Sequence, residues 1–215
     1  MDTIEAIMTT RAIRRFQDRE VGLDDLETCL RAAQQAPSGG NVQPQQYLVL
    51  TDPGRRAIAA RWYRLAYDRY EATLGTPTFR DDDAEASWRR TTAASRHLAE
   101  HLDHAPVLVL FLQPLIPWGG HDAEGPLDIG RLDASVYPAV QNFCVAARSL
   151  GLGTALTTVI RIHGDEVLAE LGVPAGKYEI AALVPVGHPV GSFGIAPRKP
   201  ASAVTHWDEW GSKRR

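Results

Sequence analysis

Four short apolar runs, at residues 46–51, 107–112, 153–159 and 179–186, set the limits on what this chain can fold into. Each is rich in Val, Leu, Ile or Tyr, and each is bounded by turn or charged residues, the pattern of a buried strand. Helical patterns fill the intervals. Residues 23–36 space Leu23, Leu26, Leu30 and Ala33 at helical period, with Asp24 and Asp25 favouring the N-terminal end of the dipole. Residues 132–150 do the same with Val136, Ala139, Val140, Phe143 and Ala147 before stopping at Gly151. Shorter helices are expected at residues 2–9 and 165–171, and a longer one runs from Asp52-Pro53 to about Leu74. Residues 75–92 are polar, contain Asp81, Asp82 and Asp83, and lack an apolar period until a helix resumes towards Leu102. Residues 114–130 form a loop rich in Gly and Pro, long enough to suggest a functional role. From Pro189 onward an extended arm is expected. Strand and helix alternate, but without the tight βαβ rhythm that builds a doubly wound sheet.

The 215 residues, 44% of them hydrophobic, are read as one compact domain spanning 1–215. The net charge of −3 comes from mixed signs along the chain, so nothing in it demands nucleic acid or an anionic membrane as a partner. The opening Met1-Asp2-Thr3-Ile4-Glu5 is acidic where a secretory signal would be basic, which points to the cytoplasm. Residues 105–118, the longest apolar stretch, are broken by Gln113, Pro114 and Pro117 and fall short of the roughly 20 apolar residues of a membrane helix. Cys29 and Cys144 each sit inside an apolar helical pattern and are read as buried thiols.

Four segments could carry chemistry. Thr10-Arg11-Ala12-Ile13-Arg14-Arg15-Phe16 gathers guanidinium groups just after a short helix, and a phosphate wants such permanently charged, bidentate donors. A solvated basic turn is the ordinary reading of the same residues. Ala36-Pro37-Ser38-Gly39-Gly40-Asn41-Val42-Gln43-Pro44 leads into the first strand. Its small residues allow close backbone approach to a flat ligand, and Ser38, Asn41 and Gln43 offer donors and acceptors for a heteroaromatic edge. Gly151-Leu152-Gly153-Thr154-Ala155-Leu156-Thr157-Thr158 joins a helix to a strand. It is not a dinucleotide fingerprint, because Leu156 stands in the place of the third glycine and the order is helix then strand. The fourth is Val186-Gly187-His188-Pro189, followed by Pro197-Arg198-Lys199-Pro200. The chain has no HExxH motif, no Gly-x-Ser-x-Gly elbow and no evident acid–base dyad.

Taken in order, these segments resemble the FMN-dependent nitroreductase family, including its iodotyrosine deiodinase branch. The family shares an opening arginine segment, an Ala-Pro-Ser-x-x-Asn-x-Gln-Pro loop, a Gly-Leu-Gly-Thr turn, a Val-Gly-x-Pro strand exit and a late Arg-Lys-Pro. The resemblance covers about residues 3–205 and implies an α+β fold, with a mixed or antiparallel central sheet flanked by helices. It also implies an intertwined homodimer with exchanged C-terminal arms, residues 189–215, and a variable lid at about residues 60–100. By the same resemblance Arg11, Ala12, Ile13 and Arg14 would hold the phosphate and ribityl chain of FMN, and Arg198 would close on the phosphate. Pro37, Ser38, Gly39, Asn41 and Gln43 would lie against the flavin of the neighbouring subunit. Thr157 and Thr158 would face the isoalloxazine, one of them near N5, the atom that takes the hydride. Ala12 departs from the serine of many members, leaving Thr9 and Thr10 as the nearby hydroxyls.

The implied activity is ping-pong reduction of a small organic acceptor, nitroaromatic or quinone-like, with NADH or NADPH as reductant. Trp62, Tyr63, Tyr67, Tyr70, Phe79 and Trp88 crowd the lid and suit planar acceptors, although such residues also serve as core. A reductive dehalogenase is the weaker reading, because residues 60–100 contain no lysine to grip a zwitterionic amino acid. A flavin-binding or flavin-degrading protein of the same fold is a further alternative. His97, His101 and His104 share a helical face but have no carboxylate or cysteine placed with them, so no metal site is expected. Trp207 and Trp210 fit an arm docked on a partner; the simpler alternative is that they cover the chain's own core.

Overall fold

A computed structural model describes residues 1–214, so Arg215, the end of the expected domain, lies outside the described residues. The helices are α1 (Thr3–Thr9), α2 (Leu23–Gln34), α3 (Pro53–Glu71), α4 (Asp82–Glu100), α5 (Tyr137–Ser149), α6 (Gly164–Glu170) and α7 (Ala201–Val204). The strands are β1 (Gln46–Leu50), β2 (Val107–Pro114), β3 (Gly120–Asp122), β4 (Gly125–Leu127), β5 (Gly153–Thr154) and β6 (Tyr178–Gly187). β1, β2, β6 and β5 form one sheet in that order, and all its strand pairs are antiparallel. The parallel element of the expected mixed sheet is reduced to a single bridge between Ala12 and Thr154.

The central strands β2 and β6 are buried along most of their length because helices cover both faces of the sheet. Val107, Val109 and Phe111 of β2 join Val184 and Val186 of β6 against α2 and α5, where the Phe111 and Phe143 rings meet edge to face at 5.5 Å. Leu108, Leu110 and Leu112 join Ile180 and Leu183 on the other face, against Tyr63, Tyr67, Leu98 and Leu168. The pairing register shifts after Phe111, so Ala181 is the extra residue of a bulge. The Tyr137 hydroxyl donates to the Ala181 carbonyl at 3.1 Å.

Cys29 and Cys144 lie in the first of these cores, as buried free thiols. Burial, reinforced by the nearby Asp25 charge, pushes Cys29 up to about 12, and burial pushes Cys144 up to about 11. Both are therefore protonated thiols at neutral pH, and neither is a nucleophile. Because the unfolded thiol ionises near 8.5, the stability they contribute is complete below about pH 8.5 and declines as pH rises towards the folded values. Native protein is expected to react with a disulfide reagent at pH 8 far more slowly than denatured protein. Two fast-reacting thiols in the folded state would contradict this packing.

The elements differ from the sequence expectation at five places. β5 ends at Thr154 rather than running to residue 159. The ladder nonetheless stays in register, since Thr154 faces Val186 and Thr157 exchanges both backbone hydrogen bonds with Leu183 (2.9 and 2.8 Å). Between them that register sets Ala155 opposite Pro185, which has no N–H to give. Residues 75–92 are not irregular throughout, because α4 starts at Asp82. The Asp81 carboxylate accepts from the Ala84 N–H at 2.7 Å, and Glu85 pairs with Arg89 one turn on. Only Leu98 and Ala99 of α4 are buried, so its sequence carries little apolar period.

Within the expected loop at 114–130, β3 and β4 make an exposed hairpin, whose turn is held by Asp122 accepting from the N–H groups of Glu124 and Gly125. The expected helix at 132–150 is a 3₁₀ turn at Leu132–Ser135 followed by α5, whose first turn contains Pro138. The arm is extended except for the single turn of α7. Trp207 is 40% and Trp210 89% exposed, so these rings do not cover the chain's own core.

Candidate flavin site

The arginine segment is fixed to the edge of the sheet. Ile13 donates its N–H to the Thr154 carbonyl at 2.8 Å, and Phe16 bridges to Pro189. Gly153 makes this contact possible, since a Cβ there would lie 2.8 Å from the Cβ of Ile13. The segment consequently runs alongside β5 with Arg11 exposed and Arg14 half-buried. Neither guanidinium has a carboxylate partner among the described residues. Arg14 lies close enough to Tyr63 and Tyr67 for its charge to favour their ionised forms, although burial dominates and raises both hydroxyls. Arg15 turns the other way and donates to His97 Nε2 at 3.2 Å.

Beside these arginines, Thr157 and Thr158 part company. The Thr157 hydroxyl faces inward, 3.3 Å from the Tyr63 hydroxyl, and accepts weakly from the Val159 N–H at 3.5 Å. Thr158 is exposed, and its backbone N–H finds no acceptor among the described residues. It precedes the 3₁₀ turn Val159–His163, and because the Thr157 carbonyl accepts from the Leu183 N–H, the trans peptide turns the Thr158 N–H away from β6. Two unpaired guanidinium groups and a free backbone donor thus share one corner of the sheet. Such a corner can grip an anion and hydrogen-bond the edge of a ring.

Thr9 and Thr10 do not supply the hydroxyl missing at Ala12. The Thr9 hydroxyl donates to the Glu5 carbonyl and accepts from Arg148 Nε, and the Thr10 hydroxyl donates to the Ala6 carbonyl. Both belong to the end of α1.

The second segment is at the diagonally opposite corner. The loop enters β1 at Gln46, which pairs with Leu112 at the far end of β2, whereas Thr154 and Ala12 lie beyond Val186, the partner of Val107. Three strand spacings and about five residues along β2 separate the corners by roughly 20 Å. The loop is rigid by its own bonds: Ser38 Oγ accepts from the Gln43 N–H at 2.9 Å, the Gln43 amide donates to Asn41 Oδ1 at 3.0 Å, and Gly39 N–H donates to Ser135 Oγ at 3.1 Å. Asn41 (φ 55°) and Gln43 (φ 44°) occupy the left-handed region, a strain worth about 1 kcal/mol or more each. Pro37, Gly39, Asn41 and Gln43 are exposed and Ser38 is half-buried.

Arg198 stands on the exposed arm, donating only to the Pro197 carbonyl at 3.0 Å among the described residues. The lid expectation is corrected in part, since Tyr63 and Tyr67 are 2% and 4% exposed and belong to the core. Phe79 and Trp88 pair at 5.4 Å, Tyr70 is exposed, and Trp62 donates to Glu170 at 3.1 Å. The rings of His97, His101 and His104 follow one another in tilted pairs at 4.5 and 5.1 Å, and among the described residues no three His, Cys, Asp or Glu groups are placed to hold a metal. Sequence reasoning missed Tyr63 as a neighbour of Thr157, a pairing 94 residues apart that no local pattern announces.

The fold and this corner define a class, an α+β protein with an antiparallel sheet and an edge that carries two arginines without carboxylate partners among the described residues. Residues 7–188 match the Nitroreductase family, and the chain belongs to that family. An FMN reductase (NADPH) of Bacillus subtilis (strain 168) is 25% identical over 209 residues, which cover 95% of this chain and 73% of the relative. Among solved structures, an oxidised iodotyrosine deiodinase bound to FMN and 3-iodo-L-tyrosine superposes with a TM-score of 0.72 at 22% identity, over 93% of this chain and 96% of the other. A tyrosine-to-alanine mutant of an FMN- and NADPH-dependent nitroreductase from Sphigopyxis sp. strain HMH gives 0.70 at 21% identity, over 98% and 100%. At those identities the superpositions show the shared fold. Among the described residues, no helix is long and apolar enough to cross a membrane.

Proposed function

We propose that the chain is a single FMN-binding domain acting as an NAD(P)H-dependent oxidoreductase on small organic acceptors, nitroaromatic or quinone-like. The observation that carries this reading is the pair Arg11 and Arg14, two guanidinium groups without carboxylate partners, beside the exposed donor edge of Thr158. FMN, when bound, would supply hydride acceptance and donation at N5, with reductant and acceptor using the same face in turn. Arg11 and Arg14 hold the phosphate, with Ala12 and Ile13 lining the ribityl chain. Thr158 is the better placed of the two threonines to reach the ring edge, because Thr157 is engaged with Tyr63.

Since the loop carrying Pro37, Ser38, Gly39, Asn41 and Gln43 stands at the opposite corner, one copy cannot close a site of this size alone. A second copy of the chain can, if its loop meets the first copy's arginines and the arms cross between them, bringing Arg198 to the phosphate. The exposed Trp207 and Trp210 favour an arm that docks on another surface.

A dehalogenase reading requires a cation in the lid for the substrate carboxylate. Within residues 60–100, Arg61, Arg64, Arg80, Arg89 and Arg96 are each ion-paired, whereas Arg69 and Arg90 have no carboxylate partner among the described residues, so ion pairing alone does not separate a dehalogenase from a reductase of neutral acceptors. The purified protein is expected to be yellow, or to become so with FMN, and to bleach under anaerobic NADPH or NADH. A protein that stays colourless after incubation with FMN contradicts the flavin reading; one that is yellow but never bleaches contradicts the enzyme.

A further inference from the structure

Tyr63 is the most deeply buried polar-tipped side chain of α3, 2% exposed, in the apolar cluster with Leu108, Leu110 and Leu183 on the covered face of the sheet. Its hydroxyl has one polar partner among the described residues, Thr157 Oγ1 at 3.3 Å. A buried hydroxyl with a single partner is costly to leave unsatisfied, so this bond holds Thr157 in one rotamer. Thr157 is already pinned through its backbone to Leu183, and its Oγ1 receives the Val159 N–H. The two attachments fix the peptide plane between Thr157 and Thr158 from both sides.

We propose that Tyr63 is a positioning residue: by anchoring Thr157 it keeps the Thr158 N–H aimed outward at the flavin ring and so tunes the redox balance of the bound cofactor. This rests on the FMN reading given above. A fixed N–H donor facing a ring nitrogen favours the oxidised ring, which accepts there, over the reduced ring, which carries hydrogen at that atom. Arg14 is the charged group close to Tyr63, and burial keeps the phenol neutral, so the effect is that of a hydrogen bond and not of a titrating charge.

The test is Tyr63→Phe, Thr157→Val and the double variant, each loaded with FMN and compared with the parent. Affinity for oxidised FMN should fall by no more than about fivefold, the worth of one hydrogen bond to the ring, since neither residue touches the phosphate. The midpoint potential of bound FMN should rise in both single variants, and reoxidation of the reduced protein by a quinone should slow about fivefold, the effect of one lost hydrogen bond. The double variant should be no worse than either single one, because both cut the same link. An unchanged potential in Tyr63→Phe and Thr157→Val, or strictly additive effects in the double variant, would overturn the proposal. If Tyr63→Phe does not fold, Thr157→Val carries the same comparison alone. A parent protein that takes up no FMN would sink the flavin reading itself, an outcome distinct from FMN-loaded variants whose potentials do not move.

Discussion

Replacing Arg14 by alanine is expected to weaken FMN binding about 10- to 100-fold, the worth of charge-assisted hydrogen bonds to a phosphate. The same substitution should leave the thermal midpoint of the FMN-free protein within about 2 °C of the parent. The second expectation follows from the environment of the side chain. Arg14 is half-buried and has no carboxylate partner among the described residues, so the folded protein loses no ion pair when it goes. Arg96 makes the contrast. It bridges Asp68 and Glu71 and lies over the Tyr67 ring, so its removal costs the α3–α4 contact. Fluorescence quenching of FMN on titration with the variant, together with a melting curve, reads both quantities. Unchanged affinity would place the phosphate elsewhere.

Gly153→Ala is expected to cost about 1–3 kcal/mol of stability, the range for forcing an extra methyl into a filled space. The added Cβ would lie 2.8 Å from the Cβ and from Cγ2 of Ile13. One side must move, and Ile13 belongs to the segment carrying Arg11 and Arg14, so FMN affinity should fall together with stability. Two controls separate crowding from a general intolerance of alanine. Gly164→Ala, where nothing lies within 4 Å and the backbone is helical, should be neutral or slightly stabilising. Ile13→Ala combined with Gly153→Ala should recover part of the loss, because the two sites share one space. Chemical denaturation of the FMN-free proteins measures these differences. A Gly153→Ala variant as stable as the parent would contradict the close approach of the arginine segment to the sheet.

Much of this architecture was legible in the residues. The apolar runs at 107–112 and 179–186 became the central strands β2 and β6, and Phe143 and Ala147 point inward as the helical period of α5 requires. What could not be read was set by partners distant in sequence or by backbone chemistry that has no apolar signature. β5 stops early because its register meets Pro185, and α4 is stabilised by caps and ion pairs on a surface that buries almost nothing.

The site divides in the same way. Arginines and small-residue loops were visible as motifs, whereas the inward turn of Thr157 towards Tyr63 depends on α3 packing over the sheet. The aromatic residues expected in the lid separate for the same reason, because a helix that buries one face takes Tyr63 and Tyr67 into the core and leaves Tyr70 outside.

The placement of the two motif groups at opposite corners makes the shared site between two copies the central claim. It can be tested by co-expressing an Arg11→Ala/Arg14→Ala chain with a chain whose Ser38 and Asn41 are both replaced by bulky residues, and purifying the mixed pair by two tags. Each altered chain alone should bind FMN weakly, since every site in it lacks one half. The mixed pair has one intact half on each chain facing the other, and should bind about one FMN per pair at the parent's affinity. FMN binding at that stoichiometry is the result predicted. Mixed pairs that bind no better than either altered chain alone would contradict a site shared between copies.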